Sequence, residues 1–303
     1  MADLRVNVAG VEFNNPLIAA SGIFGFGREY AEFYPLSTLG GISSKGITLV
    51  ARPGNPAPRI AEAAGGMLNA VGLQNPGVDH FIEKDLPWLK EQGTRIIANI
   101  AGNTPEDYCA MAEKLNDTVI DMIEMNISCP NVKQGGVQFG TSANGVADIT
   151  KAVRAHCKKP LMVKLSPNVT DISEIALAAE SEGADAISMI NTLTGMRIDI
   201  NTKRPLIHNN TGGFSGPALL PIAVRMVWQT YNKVKIPIVG LGGITTWQDA
   251  VEMLLAGATA LQIGTVLFTD PYAPVKIVEG LEQYMDKNGV KSISELTGAM
   301  RPW

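Results

Sequence analysis

The sequence predicts an α/β protein whose strands close into a (β/α)8, or TIM, barrel, and three observations carry that prediction. Short apolar runs recur eight times along the chain, at residues 17–20, 41–44, 95–101, 121–128, 161–166, 184–191, 236–240 and 260–265. They are largely continuous rather than alternating, as strands buried on both faces of a parallel sheet must be. Intervening segments such as 105–116, 172–182, 218–231 and 247–256 place apolar residues at helical spacing, several opening with Thr, Asp or Pro. Strand and helix in alternation imply parallel pairing, and eight units match a closed barrel better than an open doubly wound sheet.

The elements follow in order. Leu4, Val6 and Val8 alternate with polar residues, Ala9-Gly10 supplies a turn, and Val11 and Phe13 resume the alternation, so an N-terminal β-hairpin is expected to cap one end of the core. The first barrel run leads to Ser21, and the second to Lys45. The third carries Asn99. The fourth, although interrupted by Asp121 and Glu124, reaches Asn126. The fifth contains Lys164, and the sixth ends in Asn191 and Thr192. The last two end in Gly240-Leu241-Gly242-Gly243-Ile244 and Ile263-Gly264-Thr265. Three connections, 49–77, 130–144 and 193–217, are too long and too rich in Gly, Pro and Asn for simple turns. Each follows a strand, so all three belong on the C-terminal face, where barrels build their sites. With no linker or repeat, residues 1–303 read as one domain.

Composition narrows the function. Hydrophobic residues make up 46% and charged residues 18%, enough apolar material for a large core. A net charge of −4 without a dense Lys/Arg cluster argues against nucleic acid. The start, Met-Ala-Asp-Leu-Arg, lacks a signal-peptide core, and the longest uncharged run, 253–269, is broken by glycines and short for a membrane span. Cys109, Cys129 and Cys157 form no CxxC pair, which disfavours zinc and iron-sulfur ligation in this chain and fits a reducing, cytoplasmic setting. His80, His156 and His208 lack ligand spacing or a paired nucleophile, so no metal site is expected.

Chemistry concentrates at Asn126-Ile127-Ser128-Cys129-Pro130-Asn131. Pro130 cannot extend a ladder, so Cys129 falls where strand gives way to loop. Taken alone, such a thiol can be a small buried hydrophobe or a reactive group. Around it, Ser21, Lys45, Asn99, Asn126, Lys164, Asn191 and Thr192 repeat one position, the strand end, where a purely structural sheet would be apolar. The glycine loops after the last two strands suit a phosphate held by backbone amides. Position 245 is Thr, so the first of them is not GxGxxG and a Rossmann reading fails. A phosphate grip with amides and lysines further round the mouth suits FMN, although residue types alone also admit a sugar phosphate. Lys164 is the candidate to offset negative charge accumulating on a reduced flavin, and Lys45 stands between flavin and an anionic substrate.

Four motifs together resemble dihydroorotate dehydrogenase: the segment around Cys129, Asn69-Ala-Val-Gly-Leu-Gln-Asn-Pro-Gly77, Asn191-Thr-Leu-Thr-Gly-Met196 and Gly213-Phe-Ser-Gly-Pro217. The resemblance spans nearly the whole chain and is closest to the NAD-linked class 1B catalytic subunit. It implies FMN contacts at Ser21, Lys45, Gly46, Asn99, Asn126, Lys164, Ile190, Gly216, Gly242, Gly243, Gly264 and Thr265. It implies substrate contacts at Lys45, Asn69, Ala70, Val71, Gly72, Leu73, Asn126, Asn191 and Thr192. Cys129 would be the base that removes the C5 proton of dihydroorotate while hydride leaves C6 for FMN N5. Gly135, Gly136 and Gly140 then read as lid hinges or as turn formers.

The resemblance also implies partners: a homodimer of catalytic chains with two subunits carrying FAD and a [2Fe-2S] cluster, through which electrons reach NAD. Alternatives stay open at this point. A class 1A-like homodimer would pass electrons to fumarate, and a dihydropyrimidine dehydrogenase-like flavin barrel would bind a ring without the carboxylate. A lyase or isomerase would use Lys164 as a Schiff base and be colourless.

Overall fold

The computed structural model describes residues 2–128 and 137–303. The chain begins with an antiparallel hairpin, β1 (Val6–Val8) and β2 (Val11–Phe13), paired Val6 to Phe13. Asn7 Oδ1 accepts from the Gly10 amide at 2.9 Å, and Phe13 is fully buried, so the hairpin caps the barrel as the sequence predicts.

Next come β3 (Leu17–Ala19) and β4 (Gly41–Ser43), the first barrel strands. The long connection after β4 contains β5 (Ile60–Ala63) and β6 (Gly66–Asn69). Four barrel strands follow: β7 (Arg95–Ile100), β8 (Met122–Asn126), β9 (Leu161–Lys164) and β10 (Ala186–Met189). After β10 the chain leaves the barrel for β11 (Leu193–Gly195), β12 (Ile198–Asp199), β13 (Arg204–Pro205) and β14 (Gly212–Ser215). It returns with β15 (Ile238–Leu241) and β16 (Ala260–Ile263).

Among the described residues the barrel closes in the order β3-β4-β7-β8-β9-β10-β15-β16, every neighbouring pair parallel. Each strand falls within one of the eight apolar runs, except that β15 continues one residue past 240, to Leu241. The helices Pro105–Asn116 and Trp247–Leu255 begin with reciprocal capping boxes, Thr104 with Asp107 and Thr246 with Asp249. Such caps satisfy amides that a helix start leaves unpaired. The helices Ala143–His156 and Ala273–Asn288 were not among the segments singled out by helical spacing. Most buried apolar side chains form one cluster between barrel and helices.

Two of the three long connections are ordered together. β5 and β6 form a hairpin, β6 pairs with β14, and β14 pairs with β11, giving a four-stranded antiparallel sheet built from segments 60–69 and 193–215. Leu68, Ala70 and Ile207 form its small core. In the third connection, residues 129–136 lie outside the described residues, and a helix runs over Val137–Gly140.

Candidate active site

The carboxyl ends of the barrel strands open into a single cleft, roofed on one side by the four-stranded sheet. All twelve residues expected to contact the cofactor line it: Ser21, Lys45, Gly46, Asn99, Asn126, Lys164, Ile190, Gly216, Gly242, Gly243, Gly264 and Thr265. Of those expected at substrate, Asn69, Val71, Gly72, Leu73, Asn191 and Thr192 line it as well. Ala70 does not. Its methyl is buried in the small core with Leu68 and Ile207, its amide donates to the Arg59 carbonyl at 2.7 Å, and its carbonyl accepts from Asn55 Nδ2 at 3.0 Å. Cys129, with Gly135 and Gly136, lies outside the described residues.

One end of the cleft is backbone. Gly242 and Gly243 have φ of 125° and 81°, and a Cβ on Gly243 would sit 2.4 Å from the Leu220 amide nitrogen. The loop therefore runs directly against the start of the helix Leu220–Tyr231, whose N-cap, Leu219, offers no side-chain cap. The leading amides of that helix are already engaged, Ala218, Leu219 and Leu220 donating to the Gly65, Gly216 and Pro217 carbonyls, so it is the close glycine backbone that suits an anionic group. Thr265 Oγ1, on the adjacent loop, donates to Ser215 Oγ at 2.9 Å and ties that loop to β14.

The floor is polar and buried. Glu124 on β8 is fully buried, and its carboxylate accepts four hydrogen bonds. Ser43 Oγ (2.5 Å) and Asn99 Nδ2 (2.6 Å) reach Oε2, while Ser188 Oγ (2.7 Å) and Gln262 Nε2 (2.8 Å) reach Oε1. Lys164 Nζ lies 3.6 Å from Oε1 and donates to Gln262 Oε1 at 3.2 Å. Burial alone would push this carboxyl's pKa up. The Lys164 ammonium and the hydrogen bonds from Ser43, Ser188 and Gln262 outweigh that and hold it below the usual carboxylate range.

The side near the end of β8 is an amide relay. Asn191 Nδ2 donates to Ser128 Oγ at 2.7 Å, Ser128 Oγ donates to Asn126 Oδ1 at 3.0 Å, and Asn126 Nδ2 approaches Asn99 Oδ1 at 3.5 Å. Tyr108, from the helix Pro105–Asn116, donates its hydroxyl to the Asn126 carbonyl at 2.9 Å. The relay ends one residue before Cys129 in sequence.

The loop after β6 is held by Asn75. Its Oδ1 accepts from the Thr48 and Gly77 amides at 3.1 and 2.9 Å, and its Nδ2 donates to the Leu73 carbonyl at 2.7 Å. This shapes the turn in which Gly72 and Leu73 both have positive φ, 75° and 57°. On β14, a Cβ at Gly213 would meet Thr192 Oγ1 at 2.1 Å, which accounts for glycine where that motif packs on the substrate side.

Sequence reasoning missed the floor. Glu124 registered only as an acid interrupting an apolar run, and Ser43, Ser188 and Gln262 did not register. The available signal was period two: Glu124 precedes Asn126 by two residues and so shares its face of the strand.

Comparison with known proteins bears on the site. A sequence profile of the family described as dihydroorotate dehydrogenase matches residues 3–285. The chain is 54% identical over 298 residues to a protein of Alkaliphilus metalliredigens named dihydroorotate dehydrogenase B (NAD(+)), catalytic subunit, covering 98% of this chain and 99% of that one. Proteins of the same name from Bacteroides thetaiotaomicron and Petrotoga mobilis are 54% and 52% identical, each covering at least 98% of this chain and 99% of their own.

Proposed function

The chain belongs to the dihydroorotate dehydrogenase family, and from that premise we propose that it is the catalytic subunit of an NAD-linked, class 1B enzyme oxidising (S)-dihydroorotate to orotate in pyrimidine synthesis. The observation that carries the reading is convergence: twelve residues expected at a flavin, drawn from separate strand ends, line one cleft. Its two ends differ as FMN's do. Close-approaching glycine backbone suits the phosphate, and Lys45, Asn99, Asn126 and Lys164 suit a flat ring edged with hydrogen-bonding groups. FMN, when bound, supplies the two-electron acceptor for hydride.

The chain's own residues do the rest. Asn69, Asn126, Asn191 and Thr192, with Lys45, hold the ring and its carboxylate, and the Ser128 relay keeps two of those amides in fixed orientation. Cys129 removes the C5 proton. A proton next to a carbonyl is weakly acidic and needs a base within hydrogen-bond reach. Since a free thiol ionises near pH ~8.5, activity should rise toward alkaline pH unless neighbouring positive charge lowers that value. The loops after β6 and β14 line the roof of the cleft, with Val71, Gly72, Leu73 and Gly216 facing it.

Electrons leave through a second subunit carrying FAD and a [2Fe-2S] cluster, two of which join two catalytic chains in a cytoplasmic heterotetramer. No helix among the described residues is long and apolar enough to cross a membrane. A visible spectrum of the purified chain tests the flavin, and steady-state assays of it with dihydroorotate test the acceptor. Flavin absorbance and dye reduction are expected, with NAD reduction only once the partner is added. A colourless protein that gains no flavin absorbance from added FMN, or rapid fumarate turnover without a partner, would overturn the reading.

A further inference from the structure

Barrel interiors are ordinarily packed by layers of branched apolar side chains. Here one layer is polar on six strands: Ser43, Asn99, Glu124, Lys164, Ser188 and Gln262 all meet at the Glu124 carboxylate. A buried ion pair of this kind is a poor stabiliser, because desolvating two charges offsets their attraction and an apolar pair of similar volume does as well. Its retention is better explained by what it holds. Three of its members, Asn99, Lys164 and Gln262, also line the cleft.

We infer that Glu124 is a positioning residue for the flavin site: its carboxylate holds the Lys164 side chain aimed at the mouth and fixes which face of the Asn99 amide the cleft presents. The inference rests on the FMN reading. With Asn99 Nδ2 committed to Oε2 at 2.6 Å, Asn99 Oδ1 is the atom left toward Asn126 and Gly46. With Nζ 3.6 Å from Oε1 and the lysine 4% exposed, the ammonium has a counter-charge where water cannot supply one. Without it, Nζ keeps only the neutral Gln262 Oε1, at 3.2 Å, among its described partners. Flavin gains negative charge on reduction, so a paired, charged Lys164 favours the reduced form.

The test is the FMN midpoint potential, with FMN affinity, in the full chain and in Glu124→Gln, Lys164→Met and the double variant. Gln keeps the shape and can still bond the two serines. Glu124→Gln is expected to weaken reduced FMN about tenfold relative to oxidised FMN, a shift of about 30 mV to the negative for a two-electron couple. Lys164→Met should shift it the same way, and the double variant no further. A merely structural role would weaken both redox forms equally and leave the potential alone. An unchanged potential, a positive shift, or additive shifts in the double variant would overturn the inference. Should Glu124→Gln fail to fold, Lys164→Met and the double variant must share one potential, and a difference between them would show Glu124 acting without Lys164. Failure of the parent chain to bind FMN would instead sink the flavin reading, and is seen before any variant is made.

Discussion

Gly243→Ala isolates the backbone grip from the rest of the site. Gly243 has φ of 81°, where an alanine costs roughly 1–2 kcal/mol. Its Cβ would stand 2.4 Å from the Leu220 nitrogen and 2.8 Å from the Leu220 Cα, against an ordinary contact of 3.4 Å or more, so something must move by about an ångström. The obstacle is helix backbone and cannot swing aside as a side-chain tip would. The loop is the softer partner, and its retreat takes amides away from the phosphate. A hydrogen bond to a charged group is worth about 1.5–3 kcal/mol, so losing one weakens FMN binding by roughly 10- to 150-fold. Fluorescence titration of the flavin-free protein with FMN measures this directly. Gly183→Ala is the control: its φ of 93° imposes the same kind of strain, but its Cβ would meet only the Arg154 side chain, at 3.0 Å and away from the cleft. That variant should melt about 2 °C lower and bind FMN normally. Parent-like FMN affinity in folded Gly243→Ala, or an equal loss in Gly183→Ala, would refute the assignment of this loop to phosphate.

Three further outcomes are expected. Cys129→Ala should slow flavin reduction by dihydroorotate by about 10²-fold or more with FMN still bound, Cys129→Ser falling between, as read by stopped-flow absorbance; a near-normal rate would return Cys129 to a structural role. Ser128→Ala removes the hydroxyl between Asn126 and Asn191 and should raise KM for dihydroorotate by about tenfold, with a smaller change in FMN affinity; equal effects on both would argue against a substrate-side relay. Asp249 caps the helix Trp247–Leu255; burial raises its pKa, but hydrogen bonds from Thr245 and Thr246 outweigh that and hold it low. A depressed folded-state pKa gives stability that is present above the unfolded value of about 3.9 and lost as pH falls below it. Asp249→Asn should therefore lower Tm at pH 7 by more than at pH 3, and a pH-independent difference would contradict the sign.

How much of this was legible in the sequence depends on the range over which each feature is determined. Barrel strands are local: a continuous apolar run with a polar residue at its end marks both the strand and the point where its side chain meets the mouth, so Ser21, Lys45, Asn126 and Lys164 could be placed without any structure. The antiparallel sheet over the cleft could not. It pairs Asn69 with Gly213, residues 144 apart, and glycine-rich strands of three or four residues carry no alternation to announce them. Ala70 failed as a lining residue for the same reason, since only the pairing of β6 with β14 determines that its methyl faces Leu68 and Ile207.

Glu124 shows the limit most sharply. Period two puts it on the face of Asn126, but its meaning depends on register between strands. Asn99 stands opposite Glu124 on β7, and Lys164 opposite Asn126 on β9. Shifting β8 by one residue would turn the carboxylate outward onto the helices. In the observed register one acid reaches an amide, a lysine, a glutamine and two serines on five other strands, the geometry a carboxylate needs to stay charged in a dry interior. The strand ends thus specify what the cleft touches, and the layer beneath determines the orientation with which Lys164 and Asn99 meet it.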